Sequence, residues 1–386
     1  MIERRIPVLV ITGFLGAGKT SLIADIFRRR PEIAPTTALI VNEYGETGID
    51  HELLRMAGER QVAIDAGCIC CTLRSDLTDT LMRLHLDHAR GQIDRLDRVI
   101  VETTGLADPA PIIHTLAAHP LTAARFALAG VIACIDAEHG DAQLDTHEEA
   151  LRQAVLADRI VITKADLAGT AATAALKMRL QTLNPGAMIL SREAALADPD
   201  RLIAPLPYAP EAQGDSARAW LAAEAAADRH ACADGACAVP GHAHHPHAHH
   251  HHDHDHHDHE HEHGHGHGHG HGHEHGHDHH GHHHTADARI ATATRRLPAG
   301  TPQARVIRAA ERLAADMGPA LLRLKGLLPP EGDRPGAALH GVQHRLYPTM
   351  PLGHDADLPA EPTLVAITLD ADPAAALERL ATEAAA

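Results

Sequence analysis

The sequence predicts an α/β fold: a mostly parallel sheet bearing a phosphate-binding loop, then a disordered His-rich linker and a small α+β domain. Three observations predict it. Short apolar runs alternate with amphipathic stretches through the first two hundred residues, which implies a parallel sheet covered on both faces. A glycine-rich segment, GFLGAGKT (Gly13 to Thr20), follows the first apolar run and opens a helix. Beyond residue 206 the pattern stops, and it returns at residue 288 in a shorter, mixed form.

Taken in order, the expected strands are Pro7–Thr12, Thr37–Val41, Val62–Asp65, Arg98–Glu102, Gly130–Ile135 and Arg159–Thr163. The intervening helices are expected at Lys19–Arg30, Leu73–Ala89, Ile112–Ala118 and Asp141–Ala157. These elements form a P-loop NTPase domain over residues 1–206. Residues 207–287 turn Ala/Pro-rich and then low-complexity, with the run HGHGHGHGHGH inside a tract almost entirely of His, Gly, Asp, Glu and Ala at 242–284. Such a composition buries too little apolar surface to offset chain entropy, so a disordered linker is expected. Residues 288–386 carry expected strands at Arg289–Leu297, Val342–Leu346 and Leu364–Leu369, and expected helices at Pro302–Met317 and Pro373–Ala385. Together they read as a small α+β C-terminal domain of ordinary size.

At 386 residues the chain is long enough for two cores. Aromatic content is only 2%, so those cores must be built from Ala, Leu, Ile and Val. A formal net charge of −17 argues against nucleic acid as a partner, since phosphate backbones call for a basic face. The six cysteines do not fall into a disulfide framework: three crowd into GCICC, Cys134 lies in an apolar run, and Cys232 and Cys237 precede the histidine tract. That usage fits a reducing compartment. The first apolar run leads directly into the glycine-rich loop, and no run approaches membrane-spanning length, so a cytoplasmic protein is expected.

GFLGAGKT sits where its chemistry requires. Glycines let the backbone curl until successive N–H groups point at phosphate oxygens. Lys19 would neutralise the β and γ phosphates, and Thr20 would hold Mg²⁺ through its hydroxyl. RVIVE places Glu102 at a strand end, where a carboxylate suits a role beside Mg²⁺ or its waters; capping of the next element is the plainer alternative. In the following TTG, the Gly105 N–H would register the third phosphate, which is how a switch is built. ITKADL ends another apolar strand. There Asp166 would accept both guanine N–H groups and the stem of Lys164 would cover the base. Thr163 stands where the commoner GTPase motif begins with Asn.

GCICC gathers three thiols, Cys68, Cys70 and Cys71, in four residues. In an extended strand the first two share a face and can reach one ion. Three thiolates with one further ligand suit Zn²⁺, with Co²⁺ and Ni²⁺ as alternatives. The plainer readings are a redox dithiol or small core residues. Glu43, Glu46 and His119 are the candidates for the fourth ligand. The histidines of 242–284 are mostly neutral at pH 7 and offer many weak, exchanging metal sites, or else form a linker grown by repeat expansion. His230, Cys232 and Cys237 extend the first reading.

GFLGAGKT, NEYGETGID, GCICC, VETTGLADP and ITKADL together resemble the CobW-type GTP-binding metallochaperones. LLRLKGLL and HGVQHRLY extend the likeness into the C-terminal domain, and the zinc-binding branch is the most similar. The resemblance implies slow GTP hydrolysis, metal held at the cysteine motif and delivery to a client metalloprotein or metal-cofactor pathway enzyme. It implies nucleotide contacts from Gly13, Phe14, Leu15, Gly16, Ala17, Gly18, Lys19, Thr20, Ser21 and Gly105, and base contacts from Thr163, Lys164 and Asp166. Catalytic roles fall to Lys19, Thr20 and Glu102. Metal ligands are Cys68, Cys70 and Cys71, with Glu46 and His119 as candidates and Thr20 for Mg²⁺. The implied cofactors are GTP, Mg²⁺ and Zn²⁺; cobalt delivery in a cobalamin pathway is the runner-up. A passive metal buffer with incidental hydrolysis, and a small-molecule kinase sharing the phosphate loop, are the competing classes. No membrane or nucleic-acid partner is expected, and the oligomeric state stays open, a homodimer included.

Overall fold

A computed structural model describes residues 5–41, 61–63, 72–204, 289–352 and 358–386. Among them, seven strands form one parallel sheet: β1 (Ile6–Thr12), β2 (Thr37–Val41), β3 (Gln61–Ala63), β4 (Arg98–Glu102), β5 (Phe126–Asp136), β6 (Arg159–Thr163) and β7 (Met188–Ser191). Their order is β3-β2-β4-β1-β5-β6-β7. Between them run α1 (Lys19–Arg29), α2 (Thr72–Ala89), α3 (Ala110–Ala118), α4 (Pro120–Arg125), α5 (Gly140–Thr146) and α6 (Glu148–Leu156). The set closes with α7 (Ala165–Ala168), α8 (Thr170–Leu183), α9 (Arg192–Ala197) and α10 (Pro199–Ile203).

Strand alternation decides which helices cover which face. Val8 and Val10 of β1, with Ile40, Val99 and Val101, pack on Leu77, Leu81 and Leu84 of α2 and on Ile113 and Leu116 of α3. Leu9 and Ile11, one residue out of phase, pack with Leu39 and Ile100 on Leu22, Ile23, Ile26 and Phe27 of α1. Both faces are dry, as a parallel sheet requires. β1 lies between β4 and β5, which its own chain reaches in opposite directions. The crevice above the carboxyl ends of those strands is where such sheets bind ligands.

The C-terminal residues form a second, antiparallel sheet: β8 (Ile290–Arg296), β9 (Leu321–Leu328), β10 (Ala337–Val342), β11 (Arg345–Leu346), β12 (Met350–Pro351) and β13 (Thr363–Leu369). The order is β11-β10-β9-β13-β8, with β12 on β10. Helices α11 (Gln303–Met317) and α12 (Pro373–Ala385) cover one face through Val306, Ala310, Leu313, Leu377 and Leu380. The other side of this sheet meets the first domain. Leu322, Ile367 and Leu369 pack with Leu151, Leu176 and Leu180, and both sheets belong to one compact unit.

Three expectations change. Asp141–Ala157 is two helices, because His147 is extended (φ −126°, ψ 113°) and the acidic Glu148 and Glu149 open a new first turn. Val342–Leu346 is a hairpin: Gln343 has φ 51°, and Val342 pairs with Arg345. The third strand runs Gln61–Ala63, and the rest of its expected span lies outside the described residues. Strands β7, β9 and β12 are additions, as is β10 apart from Val342. Every residue of β9 is buried, so its sequence LLRLKGLL lacks the alternation of a one-sided strand.

Candidate functional site

Gly13–Thr20 leaves β1 at the middle of the sheet and enters α1. Gly13 has φ 141°, Gly16 φ 72° and Gly18 φ 84°, conformations open to glycine. At Gly13 a Cβ would lie 2.3 Å from the Cys134 carbonyl oxygen of β5, so only glycine fits there. The first turn of α1 has no acidic residue, which leaves its positive end free to face an anion.

Lys19 is 6% exposed, and its Nζ donates to the Gly13 and Phe14 carbonyls at 3.0 and 3.3 Å. Thr20 donates through its hydroxyl to Glu102 Oε1 at 2.6 Å, joining the start of α1 to the end of β4. A hydroxyl and a carboxylate side by side are hard oxygen donors, the set that suits Mg²⁺ with phosphate and water completing its shell. Together with the left-handed glycines, this donor set fits a Mg²⁺–nucleotide. The buried Cys134 thiol behind the loop is pushed up to about 12, above all by burial, and stays neutral.

Gly105 rests against the loop, its hypothetical Cβ 2.6 Å from the Leu15 backbone nitrogen. Gln153 of α6 holds that segment from behind, donating from Nε2 to the Gly105 and Ala107 carbonyls at 3.0 and 2.9 Å. Ser21 is half-buried in α1, and Leu15 and Gly16 face solvent. Phe14 stacks on His147 with ring centroids 4.5 Å apart.

The Lys164–Asp166 turn borders the same crevice. Thr163 is fully buried, and its hydroxyl lies 2.9 Å from the Ala17 carbonyl, to which it donates. Its side chain therefore ties β6 to the phosphate loop. Lys164 holds φ 55°, and Asp166 is exposed in the first turn of α7. Asp136, at the end of β5, accepts from Lys164 Nζ at 2.7 Å. Burial works against the Asp136 charge, but Lys164, the Glu138 amide and His139 outweigh it and hold the carboxyl below its usual range. Sequence reasoning missed Gln153, His147 and Asp136; buried Gln153 and Asp136 reveal themselves only through what they touch.

Cys68, Cys70, Cys71, Glu43 and Glu46 lie outside the described residues, as do His230, Cys232, Cys237 and the histidine tract. His119 is described: it is exposed at the junction of α3 and α4, with no side-chain cap hydrogen bond there. Among the described residues, no helix is long and apolar enough to cross a membrane.

Comparison with known proteins agrees with this geometry. The nucleotide-binding domain family described as CobW/HypB/UreG matches residues 7–191, and the cobalamin synthesis protein cobW C-terminal domain matches residues 290–383. The zinc chaperone YjiA of Escherichia coli is 41% identical over 166 residues, 43% of this chain and 51% of that protein. The zinc-regulated GTPase metalloprotein activator 1 of Schizosaccharomyces pombe is 31% identical over 192 residues, 48% of this chain and 45% of that protein. The chain thus spans about half the length, or less, of the curated relatives it matches. The crystal structure of Zn(II)-bound YjiA GTPase from E. coli superposes with a TM-score of 0.55 at 24% identity, covering 98% of this chain and 99% of that one, and so shares its fold.

Proposed function

This chain belongs to the CobW/HypB/UreG family, and on that premise we propose that it is a GTP-hydrolysing metallochaperone that carries zinc to a client protein. The observation that carries the nucleotide half is the convergence of three elements on one crevice. These are the glycine loop with Lys19, the Thr20–Glu102 pair at 2.6 Å, and the Lys164–Asp166 turn. The loop amides and Lys19 bind the phosphates. Thr20, with Glu102 beside it, would hold Mg²⁺, which would supply charge neutralisation on the phosphates. Asp166 accepts the two guanine N–H donors, and Gly105, braced by Gln153, follows the third phosphate.

The metal half rests on sequence and kinship. Cys68, Cys70 and Cys71 offer soft thiolates for the cargo ion, with Glu46 or His119 as fourth ligand. The relative named above as a zinc chaperone, 41% identical over 166 residues, supports zinc over cobalt or nickel. GTP favours the high-affinity state and hydrolysis releases the ion, since only a ligand with unequal affinity for two states shifts them.

Zinc titration of the full chain against a strong chelator tests this, with a non-hydrolysable GTP analogue and Mg²⁺ in one arm and GDP in the other. The chelator masks the weak histidine sites. One tight site is expected with the analogue, weaker with GDP and lost in Cys70→Ser, while Lys19→Met abolishes GTP turnover. Equal zinc affinity in both arms would overturn nucleotide control and leave a metal-binding GTPase with uncoupled halves.

A further inference from the structure

Asp136 ends β5 inside the crevice and is 2% exposed. Each of its oxygens is committed. Oδ1 accepts from the Glu138 backbone N–H at 2.8 Å, while Oδ2 accepts from Lys164 Nζ at 2.7 Å and lies 3.2 Å from His139 Nδ1. The neighbouring backbone is laced as well, because the Ala137 N–H donates to the Thr163 carbonyl at 2.9 Å. The end of β5 therefore grips the β6–α7 turn through a side chain and through the main chain.

That turn is an uncommon one. Lys164 is one of three non-glycine residues with positive φ among those described, and it occupies the left-handed region at 55°. A lysine persists there only when its surroundings fix it, and the anchored ammonium supplies that fixing. The consequence reaches Asp166, two residues on. With Lys164 paired inward, its ammonium cannot swing out to compete for the Asp166 carboxylate, which stays exposed and acceptor-only.

We infer that Asp136 is a positioning residue for base recognition: it holds Lys164 in the turn that presents Asp166 to guanine, without itself meeting the nucleotide. The inference rests on the guanine reading proposed above. An isosteric amide at 136 would keep the shape and lose the charge, so the lysine would be released to its like-placed neighbour Asp166.

The test measures displacement of a fluorescent GDP from the full chain by GDP, by IDP, which lacks the 2-amino group, and by ADP. The wild type is expected to rank GDP over IDP over ADP. Asp136→Asn should weaken GDP about tenfold, the scale of one charge-assisted hydrogen bond, and bring the GDP-to-IDP ratio towards one. A purely structural role would weaken all three nucleotides together and leave the ratio intact. Lys164→Met removes the same tether and should also lower the ratio; because it leaves no ammonium to reach Asp166, the double variant should fall no further than Asp136→Asn alone, and Lys164→Met also serves if Asp136→Asn does not fold. An unchanged ratio in both variants, or full additivity, overturns the inference while the guanine reading stands. A wild type that does not separate GDP from ADP sinks the guanine reading itself, and this inference with it.

Discussion

Gly13 and Gly16 sit three residues apart in one loop and answer differently to the same change. At Gly13 a Cβ would collide with the Cys134 carbonyl at 2.3 Å, and the clash is with backbone at the centre of the sheet. At Gly16 a Cβ meets nothing within 4 Å, so only its left-handed φ of 72° resists substitution. Gly13→Ala is therefore expected to force β1 and β5 apart, destabilise the fold by about 3 kcal/mol and abolish nucleotide binding. Gly16→Ala should cost about 1 kcal/mol, the backbone term alone. Urea denaturation of both variants reads the difference; equal losses would mean that the β5 carbonyl is not the obstacle.

Helix α6 is the element where two parts of the molecule meet. Near its middle, Gln153 holds the Gly105 and Ala107 carbonyls; at its end, the orphan carbonyls of Leu156 and Ala157 accept from Arg323 Nη1 of β9, both at 2.8 Å. Arg323 also pairs with Asp158, each side chain 2% exposed. Without the guanidinium, Asp158 loses its nearest cation and keeps the more distant Lys325 ammonium at 3.3 Å, so Arg323→Met is expected to destabilise the protein by about 3 kcal/mol. Adding Asp158→Asn should recover part of that loss in a double-mutant cycle followed by urea melts. A simple sum of the two single losses would mean the pair is not coupled. The elements differ in how legible they were. β1, β2, β4 and β6 announce themselves as apolar runs ended by Gly, Asn, Glu or Lys, and the glycine loop fixes what lies beyond β1. β9 does not, because packing on both faces and a register shift opposite Ile367 and Thr368 erase its period of two. The β10–β11 turn was hidden by Gln343, a residue whose positive φ no composition rule signals. In the site, Thr20 was readable from the glycine-rich motif and Glu102 from its strand-end position. Asp136 and Gln153 were not, since a lone polar residue at a strand end or within a helix looks solvated until its burial is known.

Across the whole molecule, the two sheets meet over a cluster of ionisable groups: Asp158, Arg323 and Lys325 are buried, and His340 is half-buried beside them. Burial opposes the Asp158 charge, but Arg323, Lys325, His340 and the Val131 amide outweigh it and keep the carboxyl well below its usual range. Burial, reinforced by Arg323 and Lys325, pushes His340 down to about 3. Burial and Arg323 likewise push Lys325 down to about 7 against the pull of Asp158. The signs agree. Asp158 contributes stability above the ordinary carboxylate range and loses it as pH falls towards its folded value. Between roughly pH 6.5 and 3 the unfolded chain protonates His340 while the native state resists, so stability falls on acidification. Above about pH 7 the native Lys325 has lost a proton that the unfolded chain keeps, so stability rises with pH there too. With 37 histidines in the chain, the wild-type slope alone identifies none of them. The decisive measurement is the difference between wild type and His340→Phe, which keeps a ring against Tyr347, 5.3 Å away between centroids. Urea midpoints taken at pH 4, 5, 6 and 7 should converge as the pH falls, the variant's slope being shallower by up to about 1.4 kcal/mol per unit, the share of one proton. Parallel slopes would mean that His340 titrates alike in both states, and the acid sensitivity would then belong to other groups.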